Sequence, residues 1–433
     1  RVGGPYSVTI KFIGYQERVF ENINLNLGTP GVINATLVSS ATALTEVVVT
    51  AANPNDLLSS DRTGAATNVS SVQIQRLPTI NRSINDFTRL TPQANGNSFG
   101  GADNRYNNIT IDGSNFNNNF GLGSNNLPGG SAQPISLDAI EQIQINLAPF
   151  DVRQSGFTGA GINAVTRSGT NDFSGSLYTF YRNEDFAGKK VAGEELPPFE
   201  KQTNKTYGIR LGGPIVKDKL FFFVNAESED RAFPGQRLLA SRGTAGSNIS
   251  NTKAADLDQL RNYLISNYNF DPGQYEGYDF GSDNKKILAK VDWNINNNNR
   301  FSLRYNQVEG GGDNLVNASS GPRNFSNARG GRNGVYGLNF SNSNYRQNNN
   351  VYSIVGELNS TFNSKFANNF IASYTKIKDF RSTDGDLFPF VDIMAGDEGR
   401  ADQVYTTFGY ELFSYNNQVL NNTLSITDNF TVY

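Results

Sequence analysis

Lys286-Ile287-Leu288-Ala289-Lys290-Val291-Asp292-Trp293-Asn294 is the stretch on which the fold turns. Ile287, Ala289, Val291 and Trp293 share one parity, while Lys286, Lys290, Asp292 and Asn294 share the other, and a period of two is a strand. The next stretch repeats it, with Phe301, Leu303 and Tyr305 opposing Ser302, Arg304 and Asn306. Earlier in the chain Tyr207, Ile209 and Leu211 oppose Thr206, Gly208 and Arg210. Strands of this kind are expected over 173–183, 203–215, 219–229, 285–295, 300–309, 351–362, 366–378 and 420–432. A soluble sandwich alternates too, so the connections decide. Residues 216–218, 296–299 and 363–365 are short turns, whereas 184–202, 230–284, 310–350 and 379–419 are long. Strict alternation of short and long connections is the habit of a transmembrane β-barrel, with long loops outside the cell and short turns in the periplasm.

Composition agrees. The chain has 433 residues with 30 Phe and 19 Tyr but only 37% hydrophobic residues, as expected where only alternate residues face lipid. It carries no His and no Cys, which removes Cys and His zinc sites, Ser-His-Asp and Cys-His catalysis, and disulfides. With no motif for carboxylate catalysis either, no catalytic residue is assigned and no enzyme is expected. The formal net charge of −3 gives no sign of a nucleic-acid partner. No run of about 18 apolar residues marks a membrane helix. Asp103, Asp112 and Asp279 lack the dense spacing of a calcium loop, so no metal or other cofactor is assigned.

Upstream of the strands the chain changes character. Residues 1–28 hold two short alternating segments, 6–12 and 23–27, too few for a domain and expected to end a small β module. Residues 29–58 read as a linker containing the β-branched run Val47-Val48-Val49. Residues 59–171 mix helical patterns near 70–77 and 83–90 with Asn/Gly-rich loops and short strands, and 172–433 is the strand region. One long connection carries an amphipathic helix pattern, 254–268, with Leu257, Leu260, Leu264 and Tyr268 on one side.

Several blocks resemble the TonB-dependent outer-membrane transporters. Leu44-Thr45-Glu46-Val47-Val48-Val49-Thr50-Ala51 resembles their Ton box. Asp138-Ala139-Ile140-Glu141-Gln142-Ile143-Gln144-Ile145 resembles their plug signature, and the stretch Gly159 to Asn171, containing Gly161, Asn163 and Thr166, looks like the plug-to-barrel junction. With Tyr106 to Gly113 and Phe173 to Leu177, the likeness is to the Oar-like branch, whose members carry a carboxypeptidase-regulatory-like N-terminal module. Where many members have Leu-Arg-Gly-Pro, this chain has Asn146-Leu147-Ala148-Pro149.

The resemblance implies a mainly β protein of a diderm outer membrane, with an α+β plug (59–171) beside a barrel. It implies that Thr45, Glu46, Val47, Val48, Val49 and Thr50 engage TonB and that an extracellular substrate is taken up. Partners would be TonB, that substrate, outer-membrane lipid, and a surface lipoprotein or envelope-complex subunits. The alternative is a transporter-like barrel serving as a structural subunit of a secretion or assembly complex. Charges facing a lumen need partners or water, which makes Arg153 and Arg167 of the plug and Glu227 and Glu357 of the barrel candidates for ion pairs between the two, with solvated charges as the alternative. Finally, eight strands enclose only their own side chains, whereas roughly 22 hold a plug. The strands of 172–433 are therefore expected to be the first part of a larger barrel, with Tyr433 at an interior break.

Overall fold

The computed structural model describes residues 3–25, 33–39, 66–79, 82–117, 134–149, 154–196, 200–244, 246–318, 331–363, 365–383, 385–396 and 403–433. Its largest element is an eight-stranded antiparallel wall in which every strand pairs with its neighbours in chain order. The wall strands, first to eighth, are Ser174–Asn183, Thr203–Val216, Leu220–Pro234, Asp279–Asn296, Asn299–Asn314, Tyr345–Phe362, Phe366–Ser382 and Gln418–Val432. The first and eighth do not pair with each other among the described residues, so the sheet is an open part of a barrel.

All eight expected strands are present, but most run further toward the long connections than the alternation indicates. The fourth begins at Asp279 rather than near residue 285. Apolar alternation ends where the outer face leaves lipid, while the hydrogen-bond ladder continues into water; the pattern reports the solvent and not the strand. On the second and fourth strands the outward apolar positions cover 207–215 and 287–295. Nine residues at ~3.4 Å each, tilted, match an apolar band of about 25 Å.

Burial is inverted relative to a soluble sheet. Ile287 is 46% exposed and Trp293 41%, whereas their polar neighbours Lys286 and Arg304 are 3% and 1% exposed. A soluble sandwich would bury the apolar parity; this wall turns it outward.

The polar face is covered by an inner α+β unit. Its five-stranded sheet has the order Ala66–Ser70, Ile140–Asn146, Gly161–Thr166, Asn108–Ile111, Ser114–Asn115. The helix Ser71–Arg76 starts on a capping box, with Ser70 accepting from the Gln73 amide and the Gln73 side chain accepting from the Ser70 amide. The core of this unit, built on Ile111, Ile140, Ile143 and Ile145, continues into Phe223, Leu288, Val308, Val351 and Ile377 of the wall. Those five are apolar although they face inward, because the inner unit and not water lies over them.

Three of the four long connections fold together as well. The helix Ala254–Tyr268 packs Leu257 and Leu264 into a second core with Phe270, Leu338, Phe340 and Phe408. A three-stranded sheet of Leu338–Asn339, Val404–Phe408 and Val391–Met394 joins two further connections to that core. Near the N-terminus, Gly3–Ile10 and Arg18–Leu25 form an antiparallel hairpin.

Candidate functional site: the seam between inner unit and wall

The lower half of the seam is built on one turn. Ile111 pairs with Ser114 across Asp112-Gly113, both of which have positive φ (45° and 73°). Asp-Gly is the sequence that tolerates such a two-residue hairpin turn, and a Cβ on Gly113 would sit 2.8 Å from Ile371 of the seventh wall strand. The turn therefore presses directly on the wall. Asp112 accepts from the Thr166 amide at 2.8 Å and from the Thr166 hydroxyl at 2.6 Å, which fixes the carboxylate within its own unit. Its outer oxygen lies 3.1 Å from Nη1 of Arg304 and 3.8 Å from Nζ of Lys290. Lys290 also donates to the Thr166 hydroxyl at 3.0 Å. Burial by itself raises the Asp112 pKa, but Lys290, Arg304 and the Thr166 bonds outweigh it and hold the carboxyl below its ordinary range. Asp112 is thus an anion clamped between two wall cations in a dry site.

The upper half is a hydrogen-bonded junction. Ser136 caps the turn Leu137–Ala139 and donates to Glu227 of the third wall strand at 2.8 Å. Glu227 also accepts from Tyr178 at 2.9 Å and from Lys286 at 2.8 Å. Arg82 pairs with Asp138 and lays its guanidinium over Phe180, 4.0 Å from the ring centre. Asn306 of the fifth strand donates to the Pro134 carbonyl at 3.0 Å.

The residues marked from the sequence distribute unevenly around this seam. Ile140 and Ile143 are core side chains of the inner unit. Gly161 pairs with Asn108 where a Cβ would strike the Phe157 ring at 2.8 Å, and Asn163 accepts from the Thr110 hydroxyl. Thr166 belongs to the Asp112 clamp. Glu141 accepts from Ser71 at 3.1 Å and pairs with Arg167 at 3.4 Å. This pair stays inside the inner unit, because Arg167 leaves a strand whose sheet neighbour carries Glu141. The ion pair of Glu227 is with Lys286 of the neighbouring wall strand, and its link to the inner unit is the neutral bond to Ser136. Glu357 accepts from Asn359 at 3.0 Å and Asn369 at 2.7 Å, all within the wall. Arg153 and residues 45–50 lie outside the described residues. The described ion pairs that join inner unit to wall run instead from Asp112, a residue weighed in the sequence as a metal ligand and as part of the block Tyr106 to Gly113. Its signal was the Asp-Gly turn.

A family model described as an outer membrane beta barrel domain matches residues 165–245, the end of the inner unit and the first three wall strands. The TonB-dependent transporter Oar of Myxococcus xanthus is 26% identical over 240 residues, 52% of this chain and 21% of that protein. The outer-membrane transporter YddB of Escherichia coli superposes with a TM-score of 0.54 at 14% identity, over 84% of this chain and 44% of that one. The fold is that of a TonB-dependent outer-membrane receptor. The chain spans less than half the length of these relatives. In receptor terms the inner unit is the plug, the wall is part of the barrel, and the seam described above is the contact between them. The protein resides in the outer membrane, and the two relatives named above are described as transporters.

Proposed function

We propose that the chain supplies the plug and the first barrel strands of a TonB-dependent importer. In this reading 59–171 is the plug, 172–433 is barrel, and 45–50 is the segment that TonB engages. Residues 29–58 link it to the end of a carboxypeptidase-regulatory-like module at 1–28. An extended segment can add as a strand to a partner's sheet and transmit force through main-chain hydrogen bonds.

The observation that carries the reading is the Asp112 clamp. A barrier that must hold and then open needs contacts that fail together. Paired buried charges do this: they are strong while dry and exchange for hydration once water enters. Pull from the N-terminal side would reach the clamp through the plug sheet, in which Ala66–Ser70 is an edge strand.

The test uses the full-length protein. Wild type should be retained by the periplasmic domain of TonB. Val48→Pro, which removes a main-chain donor, should lose that retention, and unchanged retention overturns the assignment of 45–50. Purification from native membranes separates import from the structural alternative: a co-purifying solute supports import, whereas a stoichiometric envelope complex without solute supports a scaffold.

A further inference from the structure

The upper seam contains a cleft of about 270 Å³ between Thr79 and Arg82 of the plug and the first four wall strands. That is near the lower end of ligand-pocket sizes, roughly 300–1,000 Å³, and suits one ring-sized group rather than a large chelate.

The charges lining it cancel in pairs. Arg82 is held by Asp138, Glu227 by Lys286 at 2.8 Å, and Glu229 by Arg231 at 2.6 Å. Arg182 also lines the cleft and is exposed, so water screens its charge. An anionic ligand would therefore have to draw Lys286 or Arg82 from its carboxylate and leave that carboxylate buried and unpaired. A cationic ligand meets the mirror of the same cost.

The neutral groups are differently placed. Thr79, Asn204 and Thr206 line the cleft, and none of their side chains makes a hydrogen bond among the described residues. Thr206 is 5% exposed, and its hydroxyl is not among the buried atoms that lack a partner, so it stays accessible through the cleft it lines. Hydroxyl and amide groups can each donate and accept, so all three side chains are free to bond a ligand. Phe180 adds ring surface, one face of it already under Arg82.

We propose that this cleft is a subsite for an uncharged, hydroxyl-bearing ring, a saccharide unit, whose hydroxyls pair with Thr79, Asn204 and Thr206 while its carbon face lies near Phe180. The proposal rests on reading the polar face of the wall as the substrate's path. Charge compensation selects against charged competitors, and the unpaired hydroxyls and amide supply the recognition.

The experiment is calorimetric titration of the full-length protein in detergent, in the absence of TonB. The probes are neutral gluco-, galacto- and manno- mono- and disaccharides, the uronic acid and amine counterparts of the same rings, and a ferric tris-catechol complex. A neutral sugar should bind at least tenfold more tightly than its uronic acid or amine. Thr206→Val, which keeps the shape and removes the hydroxyl, should weaken that binding about tenfold at an unchanged melting temperature. Asn204→Leu, at a half-exposed position, should do likewise. Equal or tighter binding of the charged rings or the chelate overturns the proposal, as does a Thr206→Val protein that binds like wild type, or no binding of any sugar. None of these outcomes bears on TonB retention, which reports on the import reading separately.

Discussion

Asp112 and Arg304 stand 192 residues apart in the chain, yet the carboxylate of one lies 3.1 Å from the guanidinium of the other, with Arg304 1% exposed. Two further nitrogens of that guanidinium, Nε and Nη2, have no hydrogen-bond partner among the described residues, so its charge depends heavily on Asp112, the anion it shares with Lys290. Removing one member of a buried pair costs about 3–5 kcal/mol, while replacing the members together by apolar groups costs far less. Asp112→Asn is therefore expected to lower the stability of the docked plug by ~3 kcal/mol, and the triple change with Lys290→Met and Arg304→Met, which removes both cations as well, to recover much of it. Protease protection of the inner unit against urea in detergent reads this directly. Single and triple variants with equal midpoints would remove the clamp from the account.

The same carboxylate sets a pH limit. Its folded pKa lies below the unfolded value of about 3.9. The stabilisation is then fully present above pH 4 to 5 and is lost only as pH falls through the depressed folded value. Plug protection should stay level from pH 7 to pH 5 and fall only in stronger acid. Asp112→Asn should flatten this group's share of the acid limb. Release of the plug near pH 6 in the wild type would show that another group governs the seam.

What the sequence revealed follows from the range of the interactions involved. The wall was legible because alternation and turn length are local: Ile287 against Lys286 shows a face, and 296–299 shows a turn. The helix at 254–268 was legible for the same reason, since Leu257 and Leu264 recur on one face. The seam was not, because nothing near Asp112 in the chain announces Arg304. Leu288 was misleading in the other direction: it sits on the polar parity, and only the plug core above it accounts for an apolar side chain there. Glu227 drew attention as a lumen charge, but which of Ser136, Tyr178 and Lys286 would surround it depended on strand pairing that no local pattern encodes.

Trp293 is the single tryptophan, on the outward parity of the fourth strand and close to the short turn joining Asn296 and Asn299. Tryptophan at that position belongs to the membrane interface. In reconstituted vesicles its emission should be quenched by lipids brominated near the headgroup more than by lipids brominated deep in the chain, and little by aqueous iodide. Strong iodide quenching without lipid quenching would turn the wall inside out.

The outer layer offers a last test, on whether the last three long connections are one folded body. Arg332 is fully buried and pairs with both carboxylate oxygens of Asp392 at 2.8 Å. It also donates to the Asn317 carbonyl, and its guanidinium lies 4.8 Å from the centre of the Phe390 ring. Asp392 in turn accepts from Thr407 at 2.7 Å, so one guanidinium ties the 315–344 connection to two strands of the 383–417 connection. Planar two-pronged pairing is specific to arginine, and Lys at this position keeps the charge but not the fork. Arg332→Met is expected to leave Asp392 without its cation and to loosen the small outer sheet by about 3 kcal/mol. Hydrogen exchange should then rise at 338–339, 391–394 and 404–408 together, Arg332→Lys should fall between, and the wall amides of the fourth and fifth strands should stay as slow as before. Because the outer sheet shares a core with the helix Ala254–Tyr268 through Phe340 and Phe408, faster exchange in that helix should accompany it. Loosening of one connection alone would mean that the three fold independently.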